Sequence, residues 1–130
     1  MPTQVNQCPL DTTLSVLCKK WKPGILSLLH DRGAVRFSEF LRLLKISNSK
    51  RISKKMLAEQ LRQLEDDGLI HRKIYPVVPP KVEYSLTEYG QSTKSLIEEL
   101  VKWGYGHLER QKNTLEMPID TMVSDAVQTK

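Results

Sequence analysis

Between residues 50 and 62 the chain carries Lys50, Arg51, Lys54, Lys55 and Arg62, with Ser53 among them and Glu59 the sole acid. Ammonium and guanidinium groups donate to phosphate oxygens and to guanine O6 and N7, and a carboxylate accepts from cytosine N4. Arg72, Lys73 and Lys81 follow on both sides of a proline-rich stretch. From residue 45 to residue 81 there are nine Lys or Arg against four Asp or Glu, so this block holds the whole net charge of +5. Charge concentrated in this way suits a polyanionic partner on one surface.

Other chemistry is not supported. The sequence has no glycine-rich phosphate loop, no Gly-x-Ser-x-Gly and no His-Glu-x-x-His, so no enzyme activity and no cofactor are expected. Glu65, Asp66 and Asp67 are consecutive on a predicted helix and diverge in direction, which is unsuited to holding a metal. Cys8 and Cys18 lack a zinc spacing, His30, His71 and His107 are scattered, and two cysteines make no disulfide framework.

The cations must be carried by something rigid, and residues 53–67 have the pattern of a helix. Ser53 is a cap for its first amides, and Ile52 with Leu57 has the spacing of a hydrophobic staple. Leu57, Leu61 and Leu64 make one apolar stripe, while Lys55, Glu59, Arg62 and Asp66 point the opposite way, with Lys54 and Ala58 on the flanks. Gly68 supplies the left-handed stop. Taken alone this is also the pattern of a plain solvated helix; the elements around it favour a helix laid in a DNA major groove.

In order, residues 1–9 read as an arm. Asp11 is expected to cap a first helix bearing Leu14, Leu17, Cys18 and Trp21. Pro23 suits the first position of a second helix whose buried face is Ile25, Leu28 and Leu29, ending near Gly33. Residues 34–37 form a short extended link, Ser38 caps a third helix with Phe40, Leu41 and Leu44, and residues 45–51 form a basic loop. Beyond Gly68, residues 69–75 and the alternating Val82, Tyr84 and Leu86 read as two strands joined by a stiff tip with Pro76, Pro79 and Pro80. Thr87 then caps one long helix reaching about Lys112, whose stripe of Leu96, Ile97, Leu100, Trp103 and Leu108 exceeds what one small core needs. A second copy of the chain is the simplest partner for it, with packing inside the monomer as the alternative.

At 130 residues the chain supports one domain with a modest core, and no run is long and apolar enough to span a bilayer. The first ten residues lack a signal pattern, so a cytoplasmic location without membrane association is the default expectation. The fold expected is mainly α with a small β-hairpin: a winged helix-turn-helix with a terminal dimerisation helix. Its parts are an arm at 1–9, a winged helix domain at 10–112 including dimerisation helices 10–20 and 88–112, and a tail at 113–130.

Cys8-Pro9, Lys20-Trp21-Lys22-Pro23 with Ile25-Leu26, Arg36-Phe37-Ser38-Glu39-Phe40, Ile52-Ser53-Lys54-Lys55-Met56-Leu57 and Gln60-Leu61-Arg62-Gln63-Leu64-Glu65 form an ordered set. So do Asp67-Gly68-Leu69-Ile70-His71-Arg72, Tyr75-Pro76, the run from Val78 to Thr87, and Gly90. Together they resemble the HxlR-type branch of MarR-like regulators over about residues 8–104. The resemblance implies a homodimeric transcription factor on a palindromic operator, with recognition helix 53–67 and wing 72–82. One departure is the longer basic loop at 45–51, where family members usually have a short Pro-Gly turn.

The DNA-facing set is then Ser38, Lys50, Arg51, Ser53, Lys54, Lys55, Ala58, Glu59, Arg62, Arg72, Lys73 and Lys81. The dimerisation set is Leu14, Leu17, Leu96, Leu100, Trp103 and Leu108. Some family members use the cysteine at the position of Cys8 to sense oxidants or electrophiles, and a thiol near Lys19, Lys20 or a helix N-terminus is more reactive. A packed cysteine without a signalling role is the alternative. Expected partners are double-stranded DNA, a second copy, and a small-molecule or oxidant effector. A winged-helix module that binds protein instead of DNA is the competing functional class.

Overall fold

A computed structural model describes residues 8–44 and 50–115 of the chain. The chain divides into two units, Met1–Lys94 and Ser95–Lys130. The first contains helices α1 (Pro9–Leu17), α2 (Lys22–Arg32), α3 (Phe37–Leu43), α4 (Lys54–Asp66) and α5 (Glu88–Gln91), with strands β1 (Ala34–Arg36), β2 (Ile70–Tyr75) and β3 (Lys81–Leu86). Helix α6 (Lys94–Leu115) starts at the boundary, and its residues from Ser95 on are the described part of the second.

The strands form an antiparallel sheet in the order β1-β3-β2. Ile70 lies opposite Leu86, Arg72 opposite Tyr84 and Ile74 opposite Val82, while β1 places Val35 opposite Tyr84. Side chains alternate across a strand, so these residues share one face. Val35, Ile70, Tyr84 and Leu86 on it are buried, together with Ile25, Leu26 and Leu29 of α2, Phe40 of α3 and Leu57, Leu61 and Leu64 of α4. Phe40 meets Tyr84 edge-on, with ring centroids 6.1 Å apart at 61°, the arrangement that aromatic quadrupoles favour.

Local chemistry moves several boundaries from those expected. Helix α1 starts at Pro9 with Cys8 as its N-cap, not at Asp11, because a proline loses nothing at a position whose amide has no helical partner. Asp11 instead lies in the first turn, where a negative charge complements the helix dipole. The helix stops at Leu17, short of the residue 20 boundary, and Lys20 takes φ 50° in the turn to α2. Pro23 is the second residue of α2, after Lys22, and Leu26 takes the fully buried place expected for Leu28, which is half-buried. Helix α3 begins at Phe37 with Arg36 as N-cap, so Ser38 falls inside its first turn. Glu39 provides the signal: its carboxylate accepts the Arg36 amide at 2.9 Å, the reciprocal half of a capping box.

The long terminal helix is two helices. Thr87 Oγ1 does cap, accepting the Gly90 amide at 2.8 Å, but the helix it starts ends at Gln91. Ser92 and Thr93 hydroxyls donate to the Tyr89 and Gly90 carbonyls, and side chains that take carbonyls in this way compete with helix continuation. Gly90 is required within α5 because a Cβ there would run into the Leu69 carbonyl oxygen.

Candidate nucleic-acid interface

Helix α4 is built as its pattern implies. Ser53 Oγ accepts the Met56 amide at 3.1 Å, and Ile52 and Leu57 are both buried. At the other end Gly68 has φ 80°, with the Leu69 amide on the Leu64 carbonyl and the Gly68 amide on the Glu65 carbonyl, the bond pair of a Schellman motif. Fixed at both ends and packed against β2, the helix turns Lys54, Lys55, Ala58 and Arg62 to solvent, with Glu59 half-buried. Lys54 and Lys55 occupy its first two positions, where unpaired amides and the helix dipole already attract anions. Lys50 and Arg51 are exposed just before it, and Ser38 is exposed in the first turn of α3. The rest of the basic loop, residues 45–49, lies outside the described residues.

The same helix holds a polar group that its hydrophobic pattern does not reveal. Gln60 is 5 % exposed, its Nε2 is 3.4 Å from Met56 Sδ, and its Oε1 has no hydrogen-bond partner. Its place at i+3 from Leu57 and i−4 from Leu64, on the edge of the apolar stripe, was the available signal.

The hairpin separates its cations. Lys73 and Lys81 share the sheet face opposite the core, whereas Arg72, itself exposed, lies across from Tyr84 on the other face. Burial pushes the Tyr84 phenol up, the Arg72 guanidinium and its hydrogen bond act to lower it, and nearby Glu65 raises it further. Lys73 Nζ lies 4.9 Å and Lys81 Nζ 4.6 Å from the centroid of the Tyr75 ring, whose hydroxyl donates to Glu83 Oε1 at 2.9 Å. Tyr75 and Glu83 did not stand out in the sequence as functional, although Tyr75 is two residues from Lys73 and therefore on its face. At the tip, Val78 is 99 % exposed.

The two other sets lie apart from these cations in sequence. Cys8 is exposed at the head of α1, where Leu14 is exposed and Leu17 buried. On α6 Leu100 and Trp103 are exposed, Leu96 and Leu108 are half-buried, and Trp103 stacks on His107 with centroids 5.2 Å apart. Among the described residues no three His, Cys, Asp or Glu side chains gather as metal ligands, and no helix is long and apolar enough to cross a membrane.

Comparison with known proteins agrees with this architecture. A family model for the HxlR-like helix-turn-helix matches residues 16–112. The HTH-type transcriptional regulator YdeP of Bacillus subtilis (strain 168) is 46% identical over 103 residues, which cover 79% of this chain and 76% of that one. The redox regulator HypR, solved in its oxidised form, is 43% identical with a TM-score of 0.68, covering 76% of this chain and 96% of its own. The transcriptional regulator YodB from B. subtilis, in its reduced form, is 35% identical with a TM-score of 0.61, covering 75% and 91%.

Proposed function

Since this chain belongs to the HxlR-like helix-turn-helix family and is a transcriptional regulator of that type, we propose that it binds duplex DNA sequence-specifically, as a homodimer on a palindromic operator in the cytoplasm. The observation that carries this is the outward row Lys54, Lys55, Ala58 and Arg62 on a helix fixed at both ends by Ser53 and Gly68. In the major groove Arg62 is placed to read a base edge, whereas Lys73 and Lys81 on the hairpin grip phosphates. Two exposed apolar stretches support the dimer: Leu10 and Leu14 on α1, and Leu100, Val101 and Trp103 on α6. Two-fold related helices would meet half-sites about 34–36 Å apart, one turn of the duplex.

Genome fragments selected by the purified protein supply the operator, and gel-shift titration tests the roles. Arg62→Ala narrows the gap between operator and scrambled duplex, by about 1–3 kcal/mol if it makes a bidentate contact. Lys81→Ala weakens both duplexes alike and reduces the slope of log K against log salt by about 0.9. Equal losses for both variants on both duplexes refute the assignment. Binding to no duplex at all refutes the DNA reading and leaves the protein-binding module.

Regulation by oxidants is the second part of the proposal, with Cys8 as sensor. Its support is the exposed position at the head of α1 and the likeness to a redox regulator. Treatment with diamide should change operator affinity of the native chain and leave Cys8→Ser untouched. An equal response in both excludes Cys8.

A further inference from the structure

Two lysines on a hairpin are ordinarily solvated and disordered, and a DNA contact must then order both stems. Here the hairpin holds them in advance. Alternation along the strands places Lys73, Tyr75, Lys81 and Glu83 on one face, with Lys73 opposite Glu83 and Tyr75 opposite Lys81. Both ammonium groups lie over the Tyr75 ring, at 4.9 and 4.6 Å from its centroid. A cation over a phenol ring is attracted by the negative face of its quadrupole. The hydroxyl of the same ring donates to Glu83 Oε1 at 2.9 Å. A carboxylate directly across from Lys73 is the natural acceptor for that ammonium, yet among the described residues it takes the tyrosine instead. Arg36 flanks Glu83 from the other side, on β1.

We propose that Tyr75 is the positioning residue of the hairpin: its ring gathers Lys73 and Lys81 into a ready-made phosphate clamp while its hydroxyl ties down Glu83 Oε1 and so competes with the direct ion pair that would draw Lys73 off the ring. This rests on the DNA-binding reading above and adds a division of labour to it. The lysines contact the backbone, and Tyr75 contacts no DNA. Its effect is independent of base sequence, because phosphates carry none.

The experiment compares Tyr75→Leu, Tyr75→Phe, and each of these combined with Glu83→Gln, on the selected operator and a scrambled duplex. In the free native protein the ε-methylene protons of Lys73 and Lys81 are shifted upfield by the ring current, and Tyr75→Leu abolishes the shift. Tyr75→Leu weakens binding about five- to tenfold on both duplexes, the scale of losing the preordering of two long side chains. Tyr75→Phe keeps the ring and releases Glu83, so its loss is smaller and adding Glu83→Gln restores native affinity. The same addition does not restore Tyr75→Leu. Should Tyr75→Leu disturb the hairpin, the Tyr75→Phe pair still decides, since it keeps the ring in place.

Native affinity in Tyr75→Leu, full rescue of Tyr75→Leu by Glu83→Gln, a Tyr75→Phe loss that Glu83→Gln does not reverse, or unshifted lysine signals in the native protein each overturn the proposal. If Lys81→Ala still weakens binding in that case, the DNA reading survives and only the positioning role falls. A native protein that binds no duplex overturns both.

Discussion

Lys22 sits at the first position of α2 with 1 % of its surface exposed, an unusual fate for a lysine. Burial holds its ammonium below the ordinary lysine range; Asp67, at the end of α4, opposes that shift and Lys19 adds to it. An unfolded chain therefore keeps this proton to higher pH than the folded one, so from this residue stability rises with pH as far as the usual lysine value, about 10.4. Tyr84 acts with the opposite sign: its raised phenol makes stability fall above the ordinary tyrosine range, about 10. Lys22→Met removes the cost of burying the charge and keeps the stem's volume. Denaturant melts at neutral pH should show it equal to or more stable than the native chain, with the alkaline rise flattened. Marked destabilisation at neutral pH would mean that the Asp67 interaction outweighs burial.

Ser53 and Gly68 set the ends of the helix that presents Lys54, Lys55 and Arg62, and Gly90 lets α5 lie against the backbone that follows that helix. Ser53→Ala removes the acceptor of the Met56 amide and should cost about 1 kcal/mol in denaturant melts. Operator affinity should fall with it, because the first turn of α4 carries Lys54 and Lys55. Gly90→Ala should cost more than Ser53→Ala, since the added methyl meets the Leu69 carbonyl, part of the backbone joining α4 to β2. Equal losses would show that α5 can move away from that carbonyl.

For the whole molecule the question is the number of copies. Trp103 is 71 % exposed and Leu100 42 % on a 22-residue helix. A helix face of this kind becomes stable by covering itself, and a homodimer does so with one self-complementary patch. Trp103→Glu places a charge in that patch and should yield a monomer in sedimentation velocity. Its binding to an isolated half-site should remain while affinity for the full palindrome falls. A native chain that sediments as a monomer at every concentration tested would end the dimer proposal.

The sequence by itself determined the frame of helix α4: cap, staple, stripe, outward lysines and glycine stop are all interactions between residues at most a few turns apart, so spacing alone specifies them, whereas the burial of Gln60 and the half-burial of Glu59 came from the fold. The two strands of the hairpin and its stiff tip were equally legible, since alternation and prolines are local signals, but their register was not. What needed the tertiary structure was anything decided across the chain. The burial of Lys22 depends on its surroundings in the fold, and the site of Arg72 depends on its pairing with Tyr84 twelve residues on. The break after Gln91 follows from hydroxyls that find local carbonyls, with Gly90 pressed against Leu69 from the other end of the hairpin. Whether Lys73 and Lys81 stand apart or together is settled by the strand pairing that puts one aromatic ring beneath both, because hydrogen bonds between strands, not sequence distance, decide which side chains are neighbours.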